Sequence, residues 1–168
     1  MTYGFEAITD RWADVAGWIS DDEWPFHFRP RPGFDDVLAQ AERGFFDGPD
    51  VRSFWVVGAE DVRVGLVRVF DLGDPTPLFD LRVAAAHRGR GVGTAALRWA
   101  TGHVFETCPD AHRFGGYTRA DNHAMRRVFE KAGFTLEARH REAWRVESAE
   151  PVDSVGYAIL RREWRQDL

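Results

Sequence analysis

Cysteine, lysine and long apolar runs are nearly missing from this chain, and each shortage removes a class of protein. Cys108 stands alone and cannot close an internal disulfide, so the sequence predicts a reducing compartment and no disulfide scaffold. No stretch approaches the ~18 uncharged residues of a membrane span. Glu6, Asp10 and Arg11 occupy the stretch where a secretory leader needs apolar residues. The expectation is a soluble, cytoplasmic protein with no membrane partner. Excess positive charge is also lacking: 22 Lys and Arg against 27 Asp and Glu give a formal net charge of −5, too negative to hold a nucleic-acid backbone. Lys131 is the only lysine, so a P-loop, which needs Gly-Lys before Ser or Thr, is absent. The six histidines and the lone cysteine show no ligand spacing such as Cys-x-x-Cys, and no metal is expected.

What the chain does hold is globular composition: 168 residues, 44% hydrophobic and 14% aromatic, enough for one sizeable core. Glycine and proline are spread as punctuation, with no repeat and no linker, which predicts one domain over 1–168. A short strand ending at Ile8 leads to a helix capped by Thr9 or Asp10, with Trp12, Val15, Ala16 and Ile19 on its apolar face. Residues 20–33, with three prolines, read as a long loop. Phe34, Val37, Leu38, Ala41 and Phe45 give a second helix that stops near Gly48 and Pro49. Strands are expected at 53–57, 62–69 and 78–83, and in the second the apolar phase flips between Leu66 and Val67, which a bulge or strong twist explains. Val92, Ala95, Ala96, Trp99 and His103 mark a long helix. A strand at 113–117 follows, then a helix through Met125, Val128, Phe129 and Ala132, capped by Asp121 or Asn122 and ended by Gly133. Two strands, 134–146 and 155–160, close the chain, antiparallel to each other.

The segment Leu81-Arg82-Val83-Ala84-Ala85-Ala86-His87-Arg88-Gly89-Arg90-Gly91-Val92-Gly93-Thr94 sets three glycines between a strand and a helix. Alternate glycines let the backbone approach a ligand closely, and the helix behind offers unpaired N–H groups and the positive end of its dipole. That is the make-up of an anion site, to which Arg88 and Arg90 can add charge. The Gly-x-Gly-x-Gly spacing does not fit the Gly-x-Gly-x-x-Gly of a dinucleotide fold.

Arg88, Gly91 and Gly93 match the acetyl-CoA signature of the GNAT superfamily of acyl-CoA-dependent N-acyltransferases, and the sequence resembles that family. Leu81 and Val83 match its Leu-x-Val strand end. Asn122, followed by Phe129-Glu130-Lys131-Ala132-Gly133-Phe134, is similar to its second motif. The tail from Asp153 to Trp164 resembles the branch that acetylates ribosomal-protein N-termini. The resemblance implies an α+β, three-layer fold, a mixed twisted sheet of about seven strands flanked by about four helices and splayed where the donor enters. It implies acetyl-CoA as donor, with its pyrophosphate on Arg88, Gly89, Arg90, Gly91, Val92, Gly93 and Thr94, its pantetheine arm beside Leu81 and Val83, and Asn122 and Phe129 nearby. It also implies a homodimer, and transfer by direct attack of a primary amine, from a small molecule or a protein N-terminus.

The attacking amine must lose a proton, because alkyl amines titrate near 10. Asp80 is the base the motif strand offers, unless it faces away from the donor and pairs with an arginine; Glu142, Asp153, His87 and His140 are further candidates. Phe129 stands where many family members carry a tyrosine that protonates the leaving thiolate, and Tyr157 is the substitute if its hydroxyl faces the cleft. Met125 replaces a serine common in the branch. In the loop, Asp21, Asp22 and Glu23 can attract a cationic acceptor beside a wall of Trp24, Phe26 and Phe28, or they form a solvated helix end before core aromatics. A CoA-binding sensor that has lost catalysis is the alternative, supported by Phe129.

Overall fold

The structure, a computed structural model, describes residues 2–164; Met1 and residues 165–168, part of the domain expected over 1–168, lie outside the described residues. Seven strands form, most on alternating apolar residues, with β6 the polar and exposed exception: β1 (Gly4–Ile8), β2 (Val51–Val57), β3 (Arg63–Phe70), β4 (Leu78–Val83), β5 (Arg113–Arg119), β6 (Thr135–Trp144) and β7 (Val152–Leu160). Apolar residues at helical spacing form α1 (Trp12–Ser20), α2 (Phe34–Glu42), α3 (Val92–Thr107) and α4 (His123–Lys131). The strands make one sheet in the order β1-β2-β3-β4-β5-β7-β6, antiparallel except where β4 meets β5. Ile8, Trp55, Val57 and Leu66 face α1 and α2 on one side. Val67, Val69, Phe114 and Tyr157 face α3 and α4 on the other. This is the expected mixed sheet between helical layers.

Three local readings are corrected. The first turn of α1 follows Arg11, in the left-handed region at φ 62°, and neither Thr9 nor Asp10 caps it. Helix α2 ends at Glu42, because Gly44 turns the chain at φ +83°, so Phe45 lies beyond it. The flip of apolar phase is a bulge at Val64: Val57 pairs with Arg63 and Val56 with Gly65, which leaves Val64 as the extra residue. Val64 joins Val92 and Ala96 on the α3 side, while Leu66 turns to α1 and α2. Asn122 caps α4 as expected, accepting from the Met125 N–H at 3.1 Å.

The core on the α3 and α4 side rests on aromatic contacts. Phe129 is fully buried, stacked on Tyr157 at 4.5 Å between ring centroids and 5.5 Å from both Phe79 and Phe134. Phe129→Ala removes a ring packed against Phe79, Phe134 and Tyr157, and urea unfolding is expected to register a loss of about 3–5 kcal/mol.

The feature that positions the site is a gap in the sheet. β4 holds a full antiparallel ladder with β3, from Gly65↔Val83 to Phe70↔Leu78, but meets β5 only at Leu78↔Gly115. The Phe79 ring sits over Gly116, where an added Cβ would lie 2.7 Å from the ring. From there the strands diverge, and the Leu81 and Val83 backbone has no strand beside it on the β5 side.

Candidate active site

Alternation along β4 sends successive side chains to opposite faces of the sheet, and a cavity lies on each. The first, about 390 Å³, is walled by Leu81 and Val83, by the turn through Arg88, Gly89, Gly91, Val92, Gly93 and Thr94, and by Asn122 and Met125 of the α4 entrance. Gly89 and Gly91 lie at φ +74° and +86°, and a Cβ on either meets no atom within 4 Å. The first hydrogen bond back from α3 runs from Ala95 N–H to Gly91 C=O at 3.0 Å. The N–H groups of Val92, Gly93 and Thr94 therefore end the helix without intrahelical acceptors, at the positive end of a 16-residue dipole. Gly93 has a second duty: its missing side chain lets Val128 of α4 approach to 3.1 Å from a Cβ position.

Arg88 serves this turn differently from the expectation. Its guanidinium donates to Val83 C=O at 2.9 Å and to Glu23 C=O, which ties the loop after α1 to the glycine turn. Arg90 is exposed and lines neither cavity. Asn122 lines the first cavity with its amide engaged, donating to Thr118 Oγ1 at 3.0 Å while its oxygen caps α4. Phe129 lines neither cavity, because its ring belongs to the core. The placement of Phe129 beside the donor is thus corrected.

The second cavity, about 460 Å³, lies on the α1 and α2 face and is walled by Asp80, Arg68 of β3, Phe45, Phe70, Tyr117 and Trp144 among others. His27 and Arg82 line both cavities, so the two meet there. Asp80 Oδ1 lies 3.1 Å from His27 Nε2, and Asp80 Oδ2 lies 3.9 Å from Arg82 Nε. Burial pushes the Asp80 carboxyl upward, but the charge and hydrogen bond of His27 and the charges of Arg82 and Arg68 outweigh it and hold the group well below the usual carboxylate range. A carboxyl depressed on folding stabilises the fold above its unfolded pKa of about 4 and loses that contribution as pH falls further. The melting-temperature advantage of the native chain over Asp80→Asn is therefore expected to shrink steadily as pH falls below about 4.

Asp80 thus faces away from the glycine turn, and its partner is a histidine 53 residues earlier in the chain. His27 is the residue that sequence reasoning passed over. It carried no motif, and only the path of the loop brings it to β4. Arg68 and Trp144 were missed for the same reason.

Other expected site residues sit elsewhere. The Tyr157 ring is buried against Phe129, and its hydroxyl accepts from Arg126 Nε at 3.2 Å with Glu130 at 3.5 Å; it lines neither cavity, so it does not face the cleft as a substitute acid. The acidic run lines neither cavity. Asp21 ends α1. Asp22 accepts from the Ala85 N–H at 2.7 Å, and Glu23 pairs with Arg31. These contacts pin the loop to the turn after β4, which corrects the reading of an acceptor-attracting surface. Trp24 is buried and borders the first cavity, with its indole N–H on Ile19 C=O at 2.7 Å and its ring 5.0 Å from the Arg82 guanidinium. Asp153 is paired with Arg139 and accepts from the Glu142 N–H, and these bonds, the backbone one first, hold it below the usual carboxylate range. Among the described residues no cluster of His, Cys, Asp or Glu is arranged to hold a metal, and no helix is long and apolar enough to cross a membrane.

Comparison with known proteins agrees with this geometry. The family profile described as acetyltransferase (GNAT) domain matches residues 5–135. Mycothiol acetyltransferase of Corynebacterium efficiens is 30% identical over 127 residues, which is 73% of this chain and 41% of that protein; the chain spans about two-fifths of the length of the curated relative it matches. Among solved structures, a chimera of the spermidine N-acetyltransferase SpeG from Vibrio cholerae and hSSAT superposes with a TM-score of 0.81 at 18% identity, over 97% of this chain and 98% of the other. The Vibrio cholerae spermidine N-acetyltransferase in complex with CoA and spermine gives 0.77 at 18% identity, over 96% of each chain. At such identities the likeness is one of fold. The profile match covers well over half of the chain, and with the glycine turn, the splayed β4 and the capped α4 in place, the chain belongs to the GNAT acetyltransferase family.

Proposed function

We propose that this chain is a single-domain N-acetyltransferase that carries an acetyl group from acetyl-CoA to a primary amine by direct attack, with donor and acceptor held on opposite faces of β4. The donor, when bound, supplies the acetyl group as an activated thioester. The cradle fits it: the turn leaves open the space that side chains at 89 and 91 would fill, and backbone N–H groups at the head of α3 can hold a pyrophosphate. Leu81 and Val83 offer an unpaired strand edge for an extended, amide-bearing arm.

His27 is the proposed base. Its Nε2 donates to Asp80, which sets the tautomer and leaves Nδ1 with a lone pair for the proton of the incoming amine. Asp80 is the positioning residue, ionised and fixed between His27 and two guanidiniums. The observation that carries this reading is that His27 lines both cavities, the one place where an acceptor amine can meet a donor threaded past Leu81. Self-association belongs to the same proposal, supported by the fold shared with the Vibrio cholerae spermidine N-acetyltransferase, one structure of which is dodecameric. So does membership of the branch acting on ribosomal-protein N-termini, supported by the tail that forms β7 and the turn after it.

The test is release of free thiol from acetyl-CoA against a panel of small amines and N-terminal peptides, beside calorimetric titration with CoA. Release that depends on an amine is the expected result. CoA binding without release to any amine overturns catalysis and leaves the sensor reading; absence of CoA binding overturns both.

A further inference from the structure

Acetyl transfer leaves the chemistry of the acceptor open, and the second cavity narrows it. Four buried side-chain nitrogen or oxygen atoms have no hydrogen-bond partner among the described residues: Ser53 Oγ, Arg68 Nε, Arg82 Nη1 and Trp144 Nε1. The three nitrogens all belong to residues that line this one cavity. Each is a donor and none can accept, so the part of a ligand that meets them presents acceptors. Buried donors are nearly always satisfied in folded proteins, and these three stand just behind the wall of one void, where small side-chain shifts would bring them to an acceptor bound there.

Charge points the same way. Asp80 stands near both Arg68 and Arg82 and compensates one guanidinium, while it also holds His27. Arg29, on the same wall, is already taken by Asp36 and Glu147. Among the buried groups this leaves one guanidinium without a buried carboxylate of its own, since the Asp71 that also acts on Arg68 is exposed, and a monoanion would complement it. Arg68 is fixed for the task, its guanidinium lying 3.9 Å from the Phe45 ring centroid and 4.2 Å from that of Phe70. Much of the remaining wall is apolar, with Phe28, Val37, Leu78 and Phe79 beside the polar Gln40.

Resting on the acetyl-transfer reading, we propose that the acceptor is a small amine bearing a carboxylate, of the amino-acid type with an apolar side chain, and that Arg68, Arg82 and Trp144 hold that carboxylate while the amine reaches His27. Burial lowers both guanidinium pKa values, and the nearby carboxylates, Asp80 for both and Asp71 for Arg68, offset this only in part. The acidic residues that suit a polycation, Asp21, Asp22 and Glu23, line neither cavity.

The experiment uses the full chain and N-acetyl-L-leucine and N-acetyl-L-phenylalanine, the products such a transfer would give, each beside its carboxamide. Calorimetry is expected to find the acids bound about tenfold tighter or more, the effect of charge-assisted bonds that an amide cannot accept as strongly. Arg68→Met, which keeps the apolar stem, is expected to abolish the preference with CoA affinity unchanged. Trp144→Phe gives a second reading, a several-fold loss of preference, if the arginine variant does not fold. Carboxamides that bind as well as acids, or spermidine that competes the acids away, overturn the proposal. Acid-selective binding with no thiol release in the presence of any amino acid upholds the carboxylate site and overturns the transferase reading. Release with polyamines alone and no acid selectivity does the reverse.

Discussion

Replacing His27 with glutamine is expected to lower kcat for acetyl transfer by about 100-fold or more at neutral pH, the lower end of what a positioned general base contributes. Glutamine keeps the size and one donor toward Asp80, but it has no nitrogen that can take a proton. The imidazole is held by a hydrogen bond of 3.1 Å to Asp80 and stands where the two cavities join, so its loss falls on chemistry more than on donor binding. The acid limb of kcat/KM against pH should vanish in this variant, because that limb reports protonation of the base. Asp80→Asn should also lower kcat, since the imidazole remains but the carboxylate that sets its tautomer and favours the imidazolium does not. A His27→Gln enzyme with the native kcat and pH profile removes His27 from the mechanism.

Gly91→Val should cost the second large effect, a fall in acetyl-CoA affinity of about 100-fold or more, each tenfold step being about 1.4 kcal/mol. Gly91 sits at φ +86° immediately before α3, and the space beyond its Cα is empty of protein atoms within 4 Å of a Cβ. A valine there fills the place of the pyrophosphate and also strains the backbone by about 1–3 kcal/mol. Gly91→Asn separates the two effects, since asparagine tolerates the left-handed region while still filling the space. Both variants should lose donor affinity, and the asparagine variant should keep a melting temperature near that of the native chain. If Gly91→Asn binds acetyl-CoA as tightly as the native chain, the cradle lies elsewhere.

The order of strands and helices was legible in the sequence because period 2 and period 3.6 are local signals. Asn122 and Gly133 announced the two ends of α4 for the same reason: one supplies a side-chain oxygen to a free N–H, and the other adopts a φ of +87°. The glycine turn was legible as a turn open to a ligand, since its shape is carried by the backbone of Gly89 and Gly91. Side-chain partnerships across the fold were not. That Asp80 would turn from the donor followed from its alternation with Phe79 and Leu81, but its bond to His27 depends on how residues 20–33 cross the sheet, which no periodicity describes. The acidic residues of that loop looked like a lure for a cation and are tethers to the Ala85 amide and to Arg31. Tyr157 and Phe129 looked like chemistry and are a stacked pair in the core. Arg68, Arg82 and Trp144 gave no warning, since a donor left without an acceptor exists only once burial has been decided.

The most direct measurement is a crystal structure of the chain with CoA. The pyrophosphate is expected on the N–H groups of residues 89–94, the arm along the free edge of Leu81 and Val83, and the thiol at the junction by His27. CoA seated in the cavity of Arg68 and Trp144, or away from β4 altogether, contradicts this placement.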